Sequence, residues 1–423
     1  MPALDELYAF RPKNLWQQFW REGFAFWMIS GYLFFEYVRP QSIYPAIDII
    51  PWTTIFLLLS AAGILIDPKK RWVSDTANKW ITLFFAAILL SSATAIYPDI
   101  SWNNIDYFYT WYVIYFLIIN IVTTKERFYI FLLIFFLASL KLSLHGAQSW
   151  TLRGFSFTKW GITGPRGFFG NSGELSIQML VLFPLAFYLY STLKDRVSRW
   201  EKVILLLGFI TPVMTILGAS SRGAQLALAV QLAIMFRKKI FKPKTMLFAF
   251  ICFFSLYLIL PDEQVERFSA IGDDRTSEQR LLYWKNGWEI MKQHPVLGIG
   301  FFNFIPYYES HYRVDMLYEN AELPHNIFIQ VGTDCGFIGL GIFLMLLLRF
   351  RRTGTCPPDD LPVYKAIESG LRVGILGFVI AGQFVTVTYY PFLWIGLALY
   401  VALQNAFLLN DNTNSIAGQI SGK

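Results

Sequence analysis

Arg222, Arg280 and His325 are the residues whose type and setting best suit chemistry, and each falls near the edge of an apolar run. Arg222 lies in Ser220-Ser-Arg-Gly-Ala224, and Arg280 opens a stretch rich in aromatic residues. A guanidinium offers forked donors and stays charged, which makes it the preferred partner of a phosphate or diphosphate. Two of them facing one mouth point to an anionic ligand. The small residues around Arg222 (Gly218, Ala219, Gly223, Ala224) allow close approach by a ligand or a neighbouring helix. The plainer account of Arg222 is a side chain reaching from a helix end to the headgroups.

His325, in Leu323-Pro-His-Asn326, follows a proline suited to a first helical turn. The dipole at a helix N-terminus disfavours the imidazolium, and a neutral imidazole is what a general base requires. The plainer account is a histidine capping a helix at the membrane interface. His145 at a loop start, His294 before Pro295 and His311 among tyrosines are weaker candidates. Glu309, Glu319 and Glu322 are the nearest alternative bases by sequence. Arg153, Lys159 and Arg166 add positive charge in a second polar stretch, either as donor or acceptor contacts or as a solvated loop. Trp284 and Asn326 are further candidate contacts. Asp273 and Asp274 could bind a cation, but adjacent acids in a polar loop are more simply solvated. There is no P-loop, GxSxG or HExxH, and Cys252, Cys335 and Cys356 lie far apart with no CxxC spacing. Neither a metal site nor a cofactor is expected.

The elements that must hold these residues are apolar helices. Hydrophobic residues make up 55% of the 423 residues and charged residues only 15%, with a mean hydropathy of +0.43. Soluble domains carry about 25% charged residues, so much of this chain faces lipid. The apolar residues form runs of about 15 to 22, the length that crosses a ~30 Å hydrocarbon core. The expected fold is an all-α polytopic membrane protein of about twelve transmembrane helices. We place them at 23–38, 46–66, 79–97, 107–122, 127–144, 174–191, 203–218, 222–236, 245–260, 325–348, 368–388 and 391–409.

The net charge of +7 does not point to nucleic acid, because the Lys and Arg residues collect in alternate short connections. They fall at 69–79, 125–127, 194–202, 237–244 and 349–352, with Arg11, Lys13 and Arg21 at the N-terminus. Such connections face the cytoplasm. Residues 1–22 are then a cytoplasmic N-terminus with no signal peptide to remove, and 410–423 a cytoplasmic tail. Helices 1–9 occupy 23–260 and helices 10–12 occupy 325–409. Between them, 261–324 is one large periplasmic loop, and 145–173 is a shorter segment on the same side. Long connections in compact architectures usually carry function. Thr276 and Gln279 read as a capping box for a short amphipathic helix of about 277–293, with Leu281, Trp284, Trp288 and Met291 on one face. Pro295 and the glycines at 298 and 300 stop it. It lies either along the membrane surface or against the outer mouth of the bundle, and Arg280 falls near the same place in both cases.

Three motifs resemble the O-antigen ligase and polymerase superfamily. The run from Arg280 through Tyr283, Trp284, Gly287, Trp288, His294, Pro295, Gly298 and Gly300 to Phe302 is similar to its large outer loop. Pro324-His-Asn-Ile-Phe-Ile-Gln330 with Gly336-Phe-Ile-Gly-Leu340 resembles the helix start that follows, and Ser221-Arg-Gly-Ala224 its outer arginine motif. The resemblance spans about 160–350. It implies an inverting glycosyltransferase of the bacterial inner membrane, with its active site facing the periplasm. The donor would be an undecaprenyl-diphosphate-linked glycan, and the acceptor lipid A-core or another glycan. By this resemblance Arg222 and Arg280 hold the diphosphate and His325 activates the acceptor hydroxyl. Metal-dependent lipid-linked glycosyltransferases usually carry paired acids in their first outer loop, whereas residues 39–45 contain none, so metal-independent transfer is implied. The superfamily's branches are ligase, polymerase and protein O-oligosaccharyltransferase. The ligase is preferred because the chain stops soon after its last span. A lipid-linked-sugar flippase is the reading from a different class. It would need broken helices and buried charges at mid-depth, for which Lys141 and Arg372 are the candidates.

Overall fold

Five of the described helices start at side chains that replace missing intrahelical partners. In the computed structural model, which describes residues 11–156, 161–238, 275–351 and 360–408, the first helices are α1 (Pro12–Arg21), α2 (Phe24–Tyr37) and α3 (Trp52–Ile66). Asp75 caps α4 (Thr76–Ala93) by accepting from the Ala77 N–H at 2.8 Å. After α5 (Asp106–Ile121), Thr124 caps α6 (Lys125–Leu152). Two capping boxes follow. Asn171 with Glu174 opens α7 (Ser172–Leu193), and Ser198 with Glu201 opens α8 (Arg199–Gly218). Each satisfies two N–H groups that the helix leaves unpaired. A tight turn leads to α9 (Arg222–Met235). Beyond the segment outside the described residues lie α10 (Arg275–Gln293), α11 (Phe304–His311), α12 (Ile327–Leu348), α13 (Leu361–Ala381) and α14 (Pro391–Phe407). Asn326 caps α12, accepting from the Phe328 and Ile329 N–H groups at 2.9 and 3.2 Å.

The described residues contain helices and no strand. Among the described residues, five helices are long and apolar enough to cross a bilayer (α4, α6, α7, α8 and α12), and α3, α9 and α14 are shorter apolar helices. This is a multi-pass membrane protein. The span expected at 245–260 and the loop residues 261–274, with Asp273 and Asp274, lie outside the described residues, as does Lys159. Among the spans that are described, boundaries shift. The fifth continues to Leu152, which puts His145 on a helix, and the eleventh runs from Leu361 to Ala381.

The bundle packs through small residues. A Cβ on Gly370 would lie 2.6 Å from Leu185 Cα, and one on Gly374 would lie 3.2 Å from Val181 Cα. Glycine at these positions therefore brings the backbones of α13 and α7 together, the usual basis of packing where lipid removes the hydrophobic drive. α14 is buried along most of its length, between α5, α13 and α6.

Ion pairs tie the ends of the bundle where the basic connections lie. The guanidinium of Arg127 is fully buried, with Nε 2.7 Å from Glu22 and Nη1 2.8 Å from Asp67. Nη1 also donates to the Ile121 carbonyl, and Lys69 adds a second pair to Glu22 at 2.8 Å. The lock joins the starts of α2 and α6 to the end of α3. Arg349, at the end of α12, pairs with Asp75 at the start of α4 (Nε to Oδ1 2.8 Å). Several of the cations that mark the topology thus also hold helix ends together.

α12 is broken. Gly336 has φ 66° and ψ −171° inside the helix, a region essentially reserved for glycine. The irregular stretch after α10 fills the break. Ile299 N–H donates to the Thr333 carbonyl at 2.9 Å, Phe337 N–H to the Pro295 carbonyl at 2.8 Å, and Phe302 N–H to Asp334 Oδ1 at 3.2 Å. Tyr389 Oη donates to the other oxygen of Asp334 at 2.9 Å. Gly298, at φ 71°, would place a Cβ 2.2 Å from the Thr333 carbonyl oxygen. The glycines at 298 and 300 therefore do more than stop a helix. They let a turn of irregular backbone pack into the broken helix with its polar groups paired, the condition for irregular backbone at membrane depth.

Candidate active site

α10 packs against α12 at Gly287, which faces Ile329, and Met291, which faces Gly332, and against α11 and the turn after it through Gln279, Tyr283 and Asn286, while Leu281 and Trp288 stay about half exposed. The Trp284 Nε1–H donates to the Pro324 carbonyl at 2.9 Å, and its ring meets Phe384 at 6.0 Å. The capping box is not formed. Arg275 is already helical, Thr276 lies beside the Tyr318 hydroxyl at 3.1 Å, and Gln279 binds the backbone of Asp315 and Leu317. Gln279 was read as a cap because its spacing from a hydroxyl residue suits one, but its amide fastens the outer turn instead.

The three principal residues meet at the N-terminal half of α10. Arg222 is the first residue of α9, after a turn in which Ser220 is left-handed (φ 54°). Its Nη2 reaches the Ser277 hydroxyl at 3.4 Å. Ser277 and Arg280 are three residues apart and so share one face of α10. Arg280 in turn acts electrostatically on Glu322, which lies 2.9 Å from His325 Nε2. The hydrogen bond to His325 holds the Glu322 carboxyl below the usual carboxylate range, and Arg280 lowers it further against the opposing effect of partial burial. The other ring nitrogen, Nδ1, lies 3.0 Å from the Thr386 hydroxyl in the α13–α14 turn. That turn is pinned to the start of α12 by Ile327 N–H donating to the Gly382 carbonyl at 2.9 Å.

His325 is not in a helical turn. The helix begins at Ile327, Asn326 is the cap, and His325 precedes it with φ 51°. Pro324 therefore sits outside the helix, and the imidazole is governed by a carboxylate and a hydroxyl rather than by the dipole alone. Asn326 has its side chain engaged in the cap, and Trp284 is a wall that fixes the His325 turn to α10. The small residues around Arg222 are filled by protein. Gly218 faces Trp150 and Ile162, and a Cβ on Gly223 would lie 2.7 Å from Phe384.

The other candidates sit apart from this group. Arg153 caps the end of α6, and its Nη1 donates to the Gly161 carbonyl at 3.1 Å. Gly161 and Ile162 in turn abut Gly218 and Ala219, so Arg153 approaches the α8–α9 turn. Arg166 is exposed, and its main-chain carbonyl accepts from Arg39. His294 follows α10 beside Tyr307, and His311 stacks on Tyr307 with ring centroids 4.1 Å apart. Glu309 accepts from the Ala321 N–H at 3.0 Å, which makes it a loop brace. Lys141 donates to the Val38 carbonyl at the end of α2. Thr386 and Ser277 were not singled out by sequence, because neither carries a local motif and both reach the site only through the fold.

Among the described residues, the helical bundle thus brings two arginines, a glutamate and a histidine toward one end, away from its basic connections. Residues 205–344 match the family model described as O-antigen ligase. This segment, which holds Arg222, Arg280 and His325, is thus similar to the O-antigen ligase family. No curated protein matches the chain.

Proposed function

We propose that the protein is an inverting glycosyltransferase that moves a glycan from an undecaprenyl-diphosphate carrier to an acceptor hydroxyl on the periplasmic face of the bacterial inner membrane. The observation that carries this reading is the meeting of Arg222, Arg280 and His325 around α10. They come from three positions far apart in sequence, all inside the segment that matches the O-antigen ligase model. The arginines bind the diphosphate and stabilise the charge that develops on it as it leaves. His325 removes the acceptor proton. The acceptor is lipid A-core if the branch is ligase, a growing glycan if it is polymerase, and a Ser or Thr side chain if it glycosylates protein. Purified protein with an undecaprenyl-diphosphate-linked oligosaccharide and lipid A-core should yield glycosylated lipid A-core, and EDTA should leave the rate unchanged. No transfer to any of the three acceptors, alongside carrier movement across vesicles, would favour the flippase. Loss of transfer on chelation with recovery in Mg²⁺ would overturn metal independence.

This function requires twelve spans with the 261–324 loop outside and both termini inside. The Lys and Arg asymmetry supports that orientation. Val314 is 95% exposed in the loop, and Asp195 lies in a basic connection between α7 and α8. In intact cells, an impermeant thiol reagent should label Val314→Cys and spare Asp195→Cys relative to the unsubstituted protein. The opposite pattern would invert the topology.

A further inference from the structure

Both ring nitrogens of His325 have partners, and the partners differ in kind. A carboxylate only accepts hydrogen bonds. With Glu322 ionised against Nε2 at 2.9 Å, the ring proton belongs on Nε2, and the Nδ1 lone pair is the basic site. Thr386 Oγ1, 3.0 Å from Nδ1, then donates to it and marks the direction from which an acceptor hydroxyl would approach. Glu322 is held in place independently of the ring. Its own N–H donates to the Tyr283 hydroxyl at 2.9 Å, and the preceding N–H, of Ala321, is bound by Glu309. The pair is thus built from the loop side and does not depend on the helix cap.

We propose that Glu322 is the positioning residue of the transfer reaction: it holds His325 in the Nε2–H form, aims Nδ1 at the acceptor and stabilises the imidazolium as the acceptor proton arrives. This rests on His325 being the general base. In the step, the acceptor O–H gives its proton to Nδ1 and its oxygen bonds to the anomeric carbon. The bond from that carbon to the diphosphate oxygen breaks, and its electron pair stays on the diphosphate. Glu322 remains ionised throughout, the role a carboxylate plays behind a histidine in other acyl- and group-transfer sites.

The charged groups around the ring are Glu322 on its own turn, Arg280 from α10 and Arg222 from α9 by way of Ser277. The α13–α14 turn contributes the neutral hydroxyl of Thr386, and α10 also contributes the Tyr283 phenol. Removing the carboxylate disfavours the imidazolium, so the acid limb of the pH–rate profile should move to lower pH. Donor binding should be unaffected, because the arginines remain.

The test uses the full-length protein with the same oligosaccharide donor and lipid A-core. It measures kcat, donor KM and the pH–rate profile for Glu322→Gln, Glu322→Asp, His325→Ala and the Glu322→Gln/His325→Ala double variant. Glu322→Gln should lose about 10–10²-fold in kcat, a share of the 10²–10⁴-fold that general-base catalysis supplies. Its donor KM should stay within about two-fold, and its acid limb should move down. Glu322→Asp should recover part of kcat and carries the test should Glu322→Gln fail to accumulate. In the His325→Ala background the glutamine should cost nothing more, because the two residues act as one unit. Wild-type kcat and an unmoved acid limb in Glu322→Gln, with His325→Ala inactive, would refute the role of Glu322 and leave the base intact. Near-normal transfer by His325→Ala would refute the base itself. A raised donor KM with an unmoved limb would assign Glu322 to the arginine site and overturn the proposal.

Discussion

Replacing Arg222 or Arg280 with Ala is expected to lower glycan transfer about 10²–10⁴-fold while the protein still folds and inserts. Each guanidinium can give a diphosphate two charge-assisted hydrogen bonds, and each such bond is worth roughly 1.5–3 kcal/mol. Both side chains are only partly buried, so truncation should cost little stability. The loss should appear in donor KM as well as in kcat, since the diphosphate is charged before transfer and becomes more so as it leaves. Lysine should rescue poorly at either position, because a point charge on a flexible stem loses the forked geometry. Arg222 illustrates the requirement: it starts a helix and leans on Ser277 at 3.4 Å, an arrangement that fixes the direction of its fork. Transfer rates with a defined donor check this. Wild-type rates in Arg222→Lys and Arg280→Lys together would remove the forked clamp, though not the need for positive charge.

His325→Ala should lower turnover by about 10²–10⁴-fold, the usual worth of a positioned general base, with donor binding retained. In the wild type the rate should fall on the acid side as the imidazole takes up a proton. Glu322 is held below the ordinary carboxylate range, chiefly by its hydrogen bond to His325. The acid limb should therefore report the histidine, and it should vanish in His325→Ala. Donor binding measured separately from turnover separates the two roles. If His325→Ala loses donor binding with little change in turnover, His325 is a diphosphate ligand and another group must activate the acceptor. Glu309 is already engaged with the Ala321 N–H, which leaves Glu322 as the first group to examine.

Most of the architecture was legible because lipid imposes a simple rule. A span must be long and apolar, and Lys and Arg must collect on one side. The helices at 76–93, 172–193, 199–218 and 327–348 follow directly from that rule. Arg222 and His325 were legible for a related reason: an ionisable residue at the edge of an apolar run has few ordinary explanations. Arg280 followed from the amphipathic helix read at about 277–293, which carries it toward the same end of the bundle.

Local sequence misled where one side chain had two possible partners. Thr276 and Gln279 have the spacing of a capping box, yet Gln279 binds a turn about 36 to 38 residues away in sequence, an alternative that local spacing cannot reveal. The glycines at 298 and 300 read as a helix stop. Only the packing of irregular backbone against a broken α12 gives them their purpose, since that fit depends on Thr333 and Asp334 of α12 and on Tyr389 from the α13–α14 turn. The partners of His325 divide in the same way. Glu322 is three residues away and was at least visible as a reserve base. Thr386, sixty-one residues away, becomes a neighbour only once Gly382 meets Ile327. Composition and charge placement are summed over many residues, so they identify a polytopic membrane protein without any single contact being known. Tertiary structure decided which groups share a hydrogen bond with the imidazole, because that depends on contacts of about 3 Å between segments that no local pattern connects.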